Sequence, residues 1–299
     1  MTTIDIMLPY YGPVELMQAT VRSVLAQRDQ DWRLTVVDDG FPDESVPGWF
    51  DSLGDSRIRY LRNERNLGAN RNYQKCLGLI EHELTVIMGA DDVMLPNYVD
   101  TVRAAYDEYP EAAVLQPGVQ VIDERGEPAR GLVDGAKRRL YAPRVSDRLT
   151  MSGERAAISL LRGNWLYFPS LCWRSSALKG MSFREGLDVI QDLGLVMDLV
   201  YKGESLLVDS EICFQYRRHS ASDSSWRALE GTRFIEERKF FLDTAERATE
   251  LGWTRAARVA RTHLSSRLNA LTLLPSAIRA NHRTGVGNLA RHVLGVGGP

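Results

Sequence analysis

Leu84-Thr-Val-Ile-Met-Gly-Ala-Asp-Asp92, followed by Val93-Met-Leu-Pro96, is the stretch that decides the fold. An apolar, partly β-branched run stops abruptly at two adjacent carboxylates, and a proline then opens an amphipathic helix. Such a run reads as a strand buried inside a parallel sheet. Its carboxyl end is where open α/β sheets hold their ligands. Neighbouring side chains of an extended segment diverge, so Asp91 and Asp92 are expected to do different jobs. One can hold a hard divalent cation through oxygen, while the other reaches a sugar hydroxyl. A lone Asp-Asp turn could equally cap the next helix, so the rest of the chain must choose between the two readings.

Upstream the chain repeats this plan. Residues 4–8 form an apolar strand closed by Pro9-Tyr10-Tyr11-Gly12-Pro13, and Val14, Met17, Val21, Val24 and Leu25 then recur at helical spacing. Residues 34–37 are a second strand, ending in Asp38-Asp39-Gly40. Residues 58–61 are a third, followed by Asn63-Glu-Arg-Asn-Leu-Gly68 and a helix to Ile80. The strand at 84–88 leads into a helix over 96–109. Strands alternating with helices through short links argue for a parallel sheet covered on both faces.

Further on, residues 112–122 read as a strand, whereas 127–150 lose periodicity and read as a functional loop. A helix is expected over 152–161, a strand over 168–173, a helix over 191–201 and a last strand over 206–216. Beyond Trp226 the pattern changes to long helices at 234–251, 254–274 and 288–294. The chain is therefore expected to divide into an α/β domain, 1–225, and a helical C-terminal extension, 226–299, whose glycine-rich end frays.

Composition limits the function classes. At 299 residues the chain can bury a full core, and 44% hydrophobic with 25% charged residues is ordinary globular composition. Cys76, Cys172 and Cys213 fit neither a disulfide framework nor a zinc pattern, so buried free thiols are expected. Residues 251–299 hold seven arginines and no acid, a local charge of +7, which leaves −9 on the first 250 residues against −2 overall. No aromatic-basic interleaving accompanies that tail, so no nucleic-acid partner is expected. The N-terminus enters a strand without the basic region and apolar core of a signal peptide, and no apolar run reaches the roughly 18 residues of a membrane span. A cytoplasmic location is expected on those grounds. The tail leaves three readings open, in this order: a solvated face packed on the domain, a homodimer contact, and peripheral attachment to the inner face of a membrane.

Three strand ends bring polar groups to one edge of the sheet: Pro9-Tyr10-Tyr11, Asp38-Asp39 and Asp91-Asp92. Between them lies Asn66-Leu-Gly-Ala-Asn-Arg71-Asn72, a glycine turn entering a helix. Neither a phosphate loop nor a dinucleotide glycine fingerprint follows the first strand. A nucleotide can still be held there, with Tyr11 as a stacking surface, Asp39 or Asp38 accepting from a base N–H, and Arg71 opposite base or phosphate. A metal would neutralise a diphosphate.

The set Leu8-Pro9-Tyr10-Tyr11, Val36-Val37-Asp38-Asp39-Gly40, Asn66 to Asn72 and Gly89-Ala-Asp-Asp92 resembles family 2 glycosyltransferases of the GT-A fold. Phe168-Pro-Ser-Leu-Cys-Trp-Arg174, Ile190-Gln-Asp192 and Tyr216-Arg-Arg-His219 continue the likeness in the same order. The resemblance implies a Rossmann-like, mixed, mostly parallel sheet with flanking helices. It implies inverting transfer of a hexosyl group from a nucleoside-diphosphate sugar to a hydroxyl or amine on a glycan, lipid-linked or small-molecule acceptor. Asp92 then matches the ligand of a divalent cation, Mn²⁺ or Mg²⁺, with His219 completing the metal or diphosphate site. Asp91 matches the contact to the donor ribose or sugar, and Asp39, beside Asp38, the acid near the base. Arg71, Pro9, Tyr10 and Tyr11 match donor contacts, and Asp192 matches the catalytic base. These roles agree with the chemistry: one carboxylate takes the acceptor proton, and positive charge meets the leaving diphosphate.

Gly89 stands where the family often has an additional acid, Gln191 replaces the usual Glu before the base, and Phe41 replaces the common Ser after Asp-Asp-Gly. A neutral Gln191 perturbs Asp192 less than a second carboxylate would. These departures keep open a catalytically silent nucleotide-sugar-binding subunit. A sugar-phosphate nucleotidyltransferase is the other alternative, although Pro9 to Gly12 lacks the basic, glycine-rich loop that class should show. Taken singly, Asp192 is a helix-dipole partner, His219 a surface histidine and Arg71 half of an ion pair. Trp165, Tyr167 and Trp173 read as core before they read as a sugar platform.

Overall fold

The structure is a computed structural model that describes residues 2–129, 140–184, 186–187, 189–218 and 230–295. Strand and helix alternate first: β1 (Ile4–Tyr10), α1 (Val14–Leu25), β2 (Trp32–Asp38), α2 (Ser45–Leu53), β3 (Ile58–Arg62), α3 (Ala69–Leu77) and β4 (Leu84–Ile87). The short β5 (Val93–Met94), α4 (Tyr98–Glu108) and β6 (Ala112–Ile122) follow. Next come β7 (Arg148–Met151), α5 (Gly153–Arg162), a 3-10 turn at Phe168–Ser170, β8 (Cys172–Arg174), α6 (Ser175–Leu178), α7 (Gln191–Tyr201) and β9 (Ser205–Arg217). The helices α8 (Thr232–Glu250), α9 (Thr254–Thr262), α10 (Leu264–Arg279) and α11 (Arg283–Leu294) complete the described chain.

Among the described residues, all nine strands form one mixed sheet in the order β3-β2-β1-β4-β8-β6-β9-β5, with β7 on β9. The half β3-β2-β1-β4 is wholly parallel. There β8 enters antiparallel between β4 and β6, and β6 runs parallel to β9. Every residue of β1 is buried, because the sheet is covered on both sides. Ile6 and Leu8 pack with Met17 and Val21 of α1, while Met7, Val37 and Ile87 pack with Cys76 of α3. Nonpolar runs without alternation are what such a doubly covered sheet requires.

Three local departures from the sequence pattern have physical causes. β7 overlaps the end of the stretch read as a loop, 127–150; it is four residues long, and antiparallel pairing with β9 and the Arg148–Asp209 ion pair of 2.8 Å specify it. Residues 168–173 are a 3-10 turn followed by a short strand, because Gln116 accepts from Tyr167 N and donates to Ser170 Oγ, holding the turn closed. The single helix expected over 254–274 is two, broken at His263, whose φ of 31° is left-handed. At Gly118 the approach of β6 to β9 is so close that a Cβ would lie 2.6 Å from the Glu211 carbonyl oxygen. All three cysteines are free and buried, and burial pushes the Cys76 thiol up to about 12.

The tail is not a detached module. Phe240 and Phe241 of α8 and Ala257 and Ala260 of α9 share one apolar cluster with Leu161 and Val196. α10 and α11 then rest on α8 through Phe234, Ala270, Ala277 and Leu289. The expected division at 225/226 and the expected frayed terminus lie outside the described residues. Between α8, α10 and α11, Ser266 Oγ donates to Glu237 and lies 2.8 Å from His292 Nε2, and Arg233 Nε donates to Glu237 at 2.6 Å. The His263 ring sits 5.2 Å from that of His292.

Burial, then the neighbouring His263, lower the His292 pKa to about 4, with Arg238 and Arg267 adding to the effect and Glu237 opposing it. A neutral buried imidazole means that the unfolded chain binds the proton first as pH falls. Stability is therefore full above the ordinary histidine value near 6.5 and is lost progressively down to about 4, by up to roughly 3 kcal/mol. Urea midpoints measured across that window should fall in the wild type, and His292→Gln, which keeps a donor toward Ser266, should flatten the slope.

Candidate functional site

Adjacency of β2, β1 and β4 brings their carboxyl ends together, with Tyr10 directly opposite Asp38 in register. A cleft of about 580 Å³ opens there, bordered by Pro9, Tyr10, Tyr11, Asp39, Tyr73 and Asp91. The three strand ends singled out in the sequence thus meet at one edge. Tyr10 is buried and its hydroxyl donates to the Gly12 carbonyl at 2.9 Å, whereas Tyr11 is 56% exposed and offers its ring to the cleft. Phe41 touches both, with ring centroids 5.5 Å from Tyr10 and 5.3 Å from Tyr11, so it sets the angle of the exposed ring.

The two acids after β2 have separate tasks. Asp38 is fully buried; it accepts from Phe41 N at 2.8 Å and from the Tyr60 hydroxyl, and Arg62 approaches it at 3.8 Å. Asp38 thus braces the turn and is not among the cleft-lining residues. Asp39 accepts from Asn63 Nδ2 at 2.7 Å, Leu67 N at 2.8 Å and Gly68 N at 2.9 Å. That carboxylate folds the Asn66-Leu67-Gly68 turn back onto the end of β2 and presents one side to the cleft. Gly40, at φ 74°, permits the fold-back, since a Cβ would stand 3.3 Å from Asn66 N.

Sequence reasoning passed over Asn63 and Asn72. Asn63 also donates to Asn72 Oδ1 and accepts from Lys75 Nζ at 2.6 Å, and Asn72 Nδ2 donates to the Val37 carbonyl at 2.9 Å. One chain of amides therefore runs from the end of β2 through Asp39 to α3. Asn63 had the same signal as the acids, a polar residue just past a strand's carboxyl end. Arg71, by contrast, is exposed in the first turn of α3 and does not line the cleft.

At the end of β4 the geometry is tighter. Asp92 is 1% exposed; its Oδ1 accepts from Arg217 N at 2.8 Å, and its Oδ2 is buried with no hydrogen-bond partner among the described residues. Burial first, and then the adjacent Asp91, hold the Asp92 carboxyl well above the usual carboxylate range against the pull of Arg217. Gly89 is where the two carboxylates fold back, since a Cβ there would lie 2.5 Å from Asp92 Oδ2 and 3.0 Å from Asp91 Oδ1. A side chain at position 89 would have to displace this pair. Arg217 was also missed by the sequence reading. Its Nε donates to the Asp91 carbonyl at 2.8 Å and its Nη1 to the Asp123 carbonyl at 3.0 Å. An arginine at the carboxyl end of a strand was the available signal.

Asp192 sits in the first turn of α7, accepting from Leu193 N at 2.7 Å and from Asn164 Nδ2 at 3.2 Å. It shares a neighbourhood with the acid pair through Tyr216. Burial is the main cause of the raised Tyr216 pKa, and the charges of Asp92, Asp91 and Asp192 add to it while Arg218 opposes them. The preceding Gln191 has its Oε1 buried without a partner among the described residues, a place where a carboxylate would cost far more than an amide. Trp165, Tyr167 and Trp173 are buried, as the plainer reading held. His219 lies outside the described residues, among which no group of three or more His, Cys, Asp or Glu gathers as a metal cluster.

Comparison with known proteins bears on this arrangement. The family model described as glycosyl transferase family 2 matches residues 5–166. An uncharacterized protein of Mycobacterium tuberculosis, MT1568, is 25% identical over 248 residues, spanning 80% of this chain and 74% of the relative. The crystal structure of S. aureus TarS 1–349 in complex with UDP-GlcNAc superposes with a TM-score of 0.68 at 15% identity, covering 97% of this chain and 81% of that one. The mannosyltransferase PcManGT from Pyrobaculum calidifontis, in complex with GDP-Man and Mn²⁺, gives a TM-score of 0.56 at 14% identity, over 98% and 85% of the two chains. At such identities these structures speak for the fold, the mixed sheet of a GT-A glycosyltransferase.

Arg217→Lys separates backbone from side chain at this site. The N–H on Asp92 remains, but a lysine cannot reproduce the forked contacts to Asp91 and Asp123, so roughly 2 kcal/mol of stability should be lost. Chemical denaturation measures the loss, and hydrogen exchange should show faster opening around Asp91 and Asp123.

Proposed function

The chain belongs to glycosyltransferase family 2, and on that premise we propose that it moves a hexosyl group from a nucleoside-diphosphate sugar to a hydroxyl or amine acceptor with inversion at the anomeric carbon. The observation that carries the proposal is Asp91 at the cleft edge beside a buried Asp92 whose Oδ2 has no hydrogen-bond partner among the described residues. An oxygen so placed lacks the partner that burial normally demands, and a hard cation is a natural one.

Each residue then has a task. Tyr11 and Pro9 border the base, Tyr10 supports them from beneath, and Asp39 reads an N–H of the base while holding its own turn closed. Asp38 acts through that turn, and Arg71, on the outer side of α3, meets the donor only from the rim. Asp91 contacts the ribose or the sugar. Asp192, whose charge reaches Tyr216 as those of Asp91 and Asp92 do, takes the proton of the acceptor hydroxyl as its oxygen attacks the anomeric carbon from the face opposite the leaving diphosphate. A donor carboxylate set suits Mn²⁺ or Mg²⁺, held by Asp92 with Asp91 beside it and His219 as a further ligand; when bound, such an ion supplies Lewis-acid charge to the leaving group. The donors named in the TarS and PcManGT complexes, UDP-GlcNAc and GDP-Man, and the Mn²⁺ in the latter belong to those proteins and support the same class of ligand here. The domain that does this work is residues 1–225, with 226–299 as a helical extension packed on it.

Gly89 and Gln191, the departures that favoured a silent binding subunit, both follow from local packing, and neither removes the acid pair or Asp192. A thermal-shift panel of nucleoside diphosphates and nucleotide sugars, with and without Mn²⁺, tests the reading. The correct donor at a hundredfold its Kd should add about 2.7 kcal/mol of stability, and it should do so only with the metal. No shift with any nucleotide, or shifts indifferent to metal, would sink it. Asp192→Asn should lower turnover by roughly 10²- to 10⁴-fold while leaving donor affinity intact; unchanged turnover removes Asp192 from the chemistry.

A further inference from the structure

We infer that α10 docks on the surface of a bilayer bearing anionic headgroups, through a solvent-facing apolar stripe set in an acid-free, arginine-rich tail. On α10, Leu264, Leu268, Leu271, Pro275 and Ile278 recur at i, i+4, i+7, i+11 and i+14, one face of the helix. The four aliphatic side chains are 62%, 48%, 49% and 61% exposed, in chain order. The opposite face buries Ser266, Ala270 and Ala277 against α8 and α11, so the helix is anchored and the stripe is its outward side. Scattered surface leucines need no explanation, but a continuous row along a helix calls for a cover.

Spacing alone would also suit a partner helix. Charge decides between the two. Residues 251–299 carry seven arginines and no acid, and exposed Arg261, Arg279 and Arg283 stand at the two ends of the stripe. A second copy joined by a two-fold axis would set +7 against +7. Its −9 remainder could meet the stripe only head to tail, a contact that leaves both ends open. An anionic membrane surface satisfies the aliphatic row and the arginines together, with the apolar side at the acyl boundary and the guanidinium groups among phosphates. No described helix is long and apolar enough to cross a membrane, so the attachment is peripheral.

The test is co-sedimentation of the full chain with phosphatidylcholine vesicles, with and without phosphatidylglycerol, in the absence of metal and nucleotide sugar. Vesicle binding is thus read separately from sugar transfer, and either can fail alone. Wild type should sediment with the phosphatidylglycerol vesicles and release as salt is raised. Leu268→Glu with Leu271→Glu should cut partition by about tenfold or more, and Arg279→Gln and Arg283→Gln by about fivefold each. Should the glutamate variant lose its cooperative melt, the two glutamine variants and the salt dependence carry the test. Partition indifferent to phosphatidylglycerol overturns the inference, as does wild-type binding by folded variants. A stripe-dependent dimer in light scattering without vesicle binding overturns it in favour of self-association.

Discussion

Two adjacent carboxylates held at one strand tip, one of them sealed from water, are the constraint to which the neighbouring structure answers. Burying a carboxyl oxygen without a donor is costly, and that cost is what holds the Asp92 carboxyl well above the usual range. Gly89 makes room for it, the Arg217 backbone partly compensates it, and the Arg217 side chain ties the Asp91 carbonyl to the Asp123 turn. The Tyr73 and Tyr216 phenols feel the same charge and are kept firmly protonated, mainly by their own burial. Elements far apart in the chain, β4, β9 and the turn after β6, are thus fastened around one pair of side chains.

Asp39 is in the opposite position, well supplied with donors. Its three hydrogen bonds fix the turn that enters α3, and the Asn63–Asn72 link carries that order back to β2. One acid holds three donors and keeps acceptor capacity for the cleft, and the other has an oxygen left short. That contrast separates a carboxylate that shapes the cleft it faces from one whose own shell is incomplete.

Much of this was legible in the chain. Uninterrupted apolar runs gave the doubly covered strands, and acids at their ends marked the ligand edge, because the sheet's parallel half leaves all its carboxyl tips on one side. The spans 112–122 and 191–201 agree with β6 and α7 residue for residue. Illegible were features set by distant partners: β7, which β9 specifies; the turn that Gln116 holds; and the break at His263, where a buried histidine adopts a left-handed backbone that no local pattern announces. Within the site, Asp38 and Asp39 look alike in one dimension and differ only through Tyr60, Asn63 and the Asn66 turn. Gly89 and Gln191 read as losses against a family pattern, yet each is what its own surroundings admit.

The antiparallel strand β8 has a consequence for how the molecule is made. Only three residues long, it is, among the described residues, the strand that joins β4 to β6 in the sheet order. Val86 must find Cys172 and Leu115 must find the same residue, closures that wait until most of the domain has been synthesised. Non-local closures are slow, and β4 to β8 spans about as much chain as the β1 to β4 pairing that precedes it. The seam at β8 therefore closes only once residue 172 is in place, and the pairing of β5 with β9 adds a second tie later in the chain. A nascent chain that stops short of residue 172 would expose the open edge of β4 to any strand that passes.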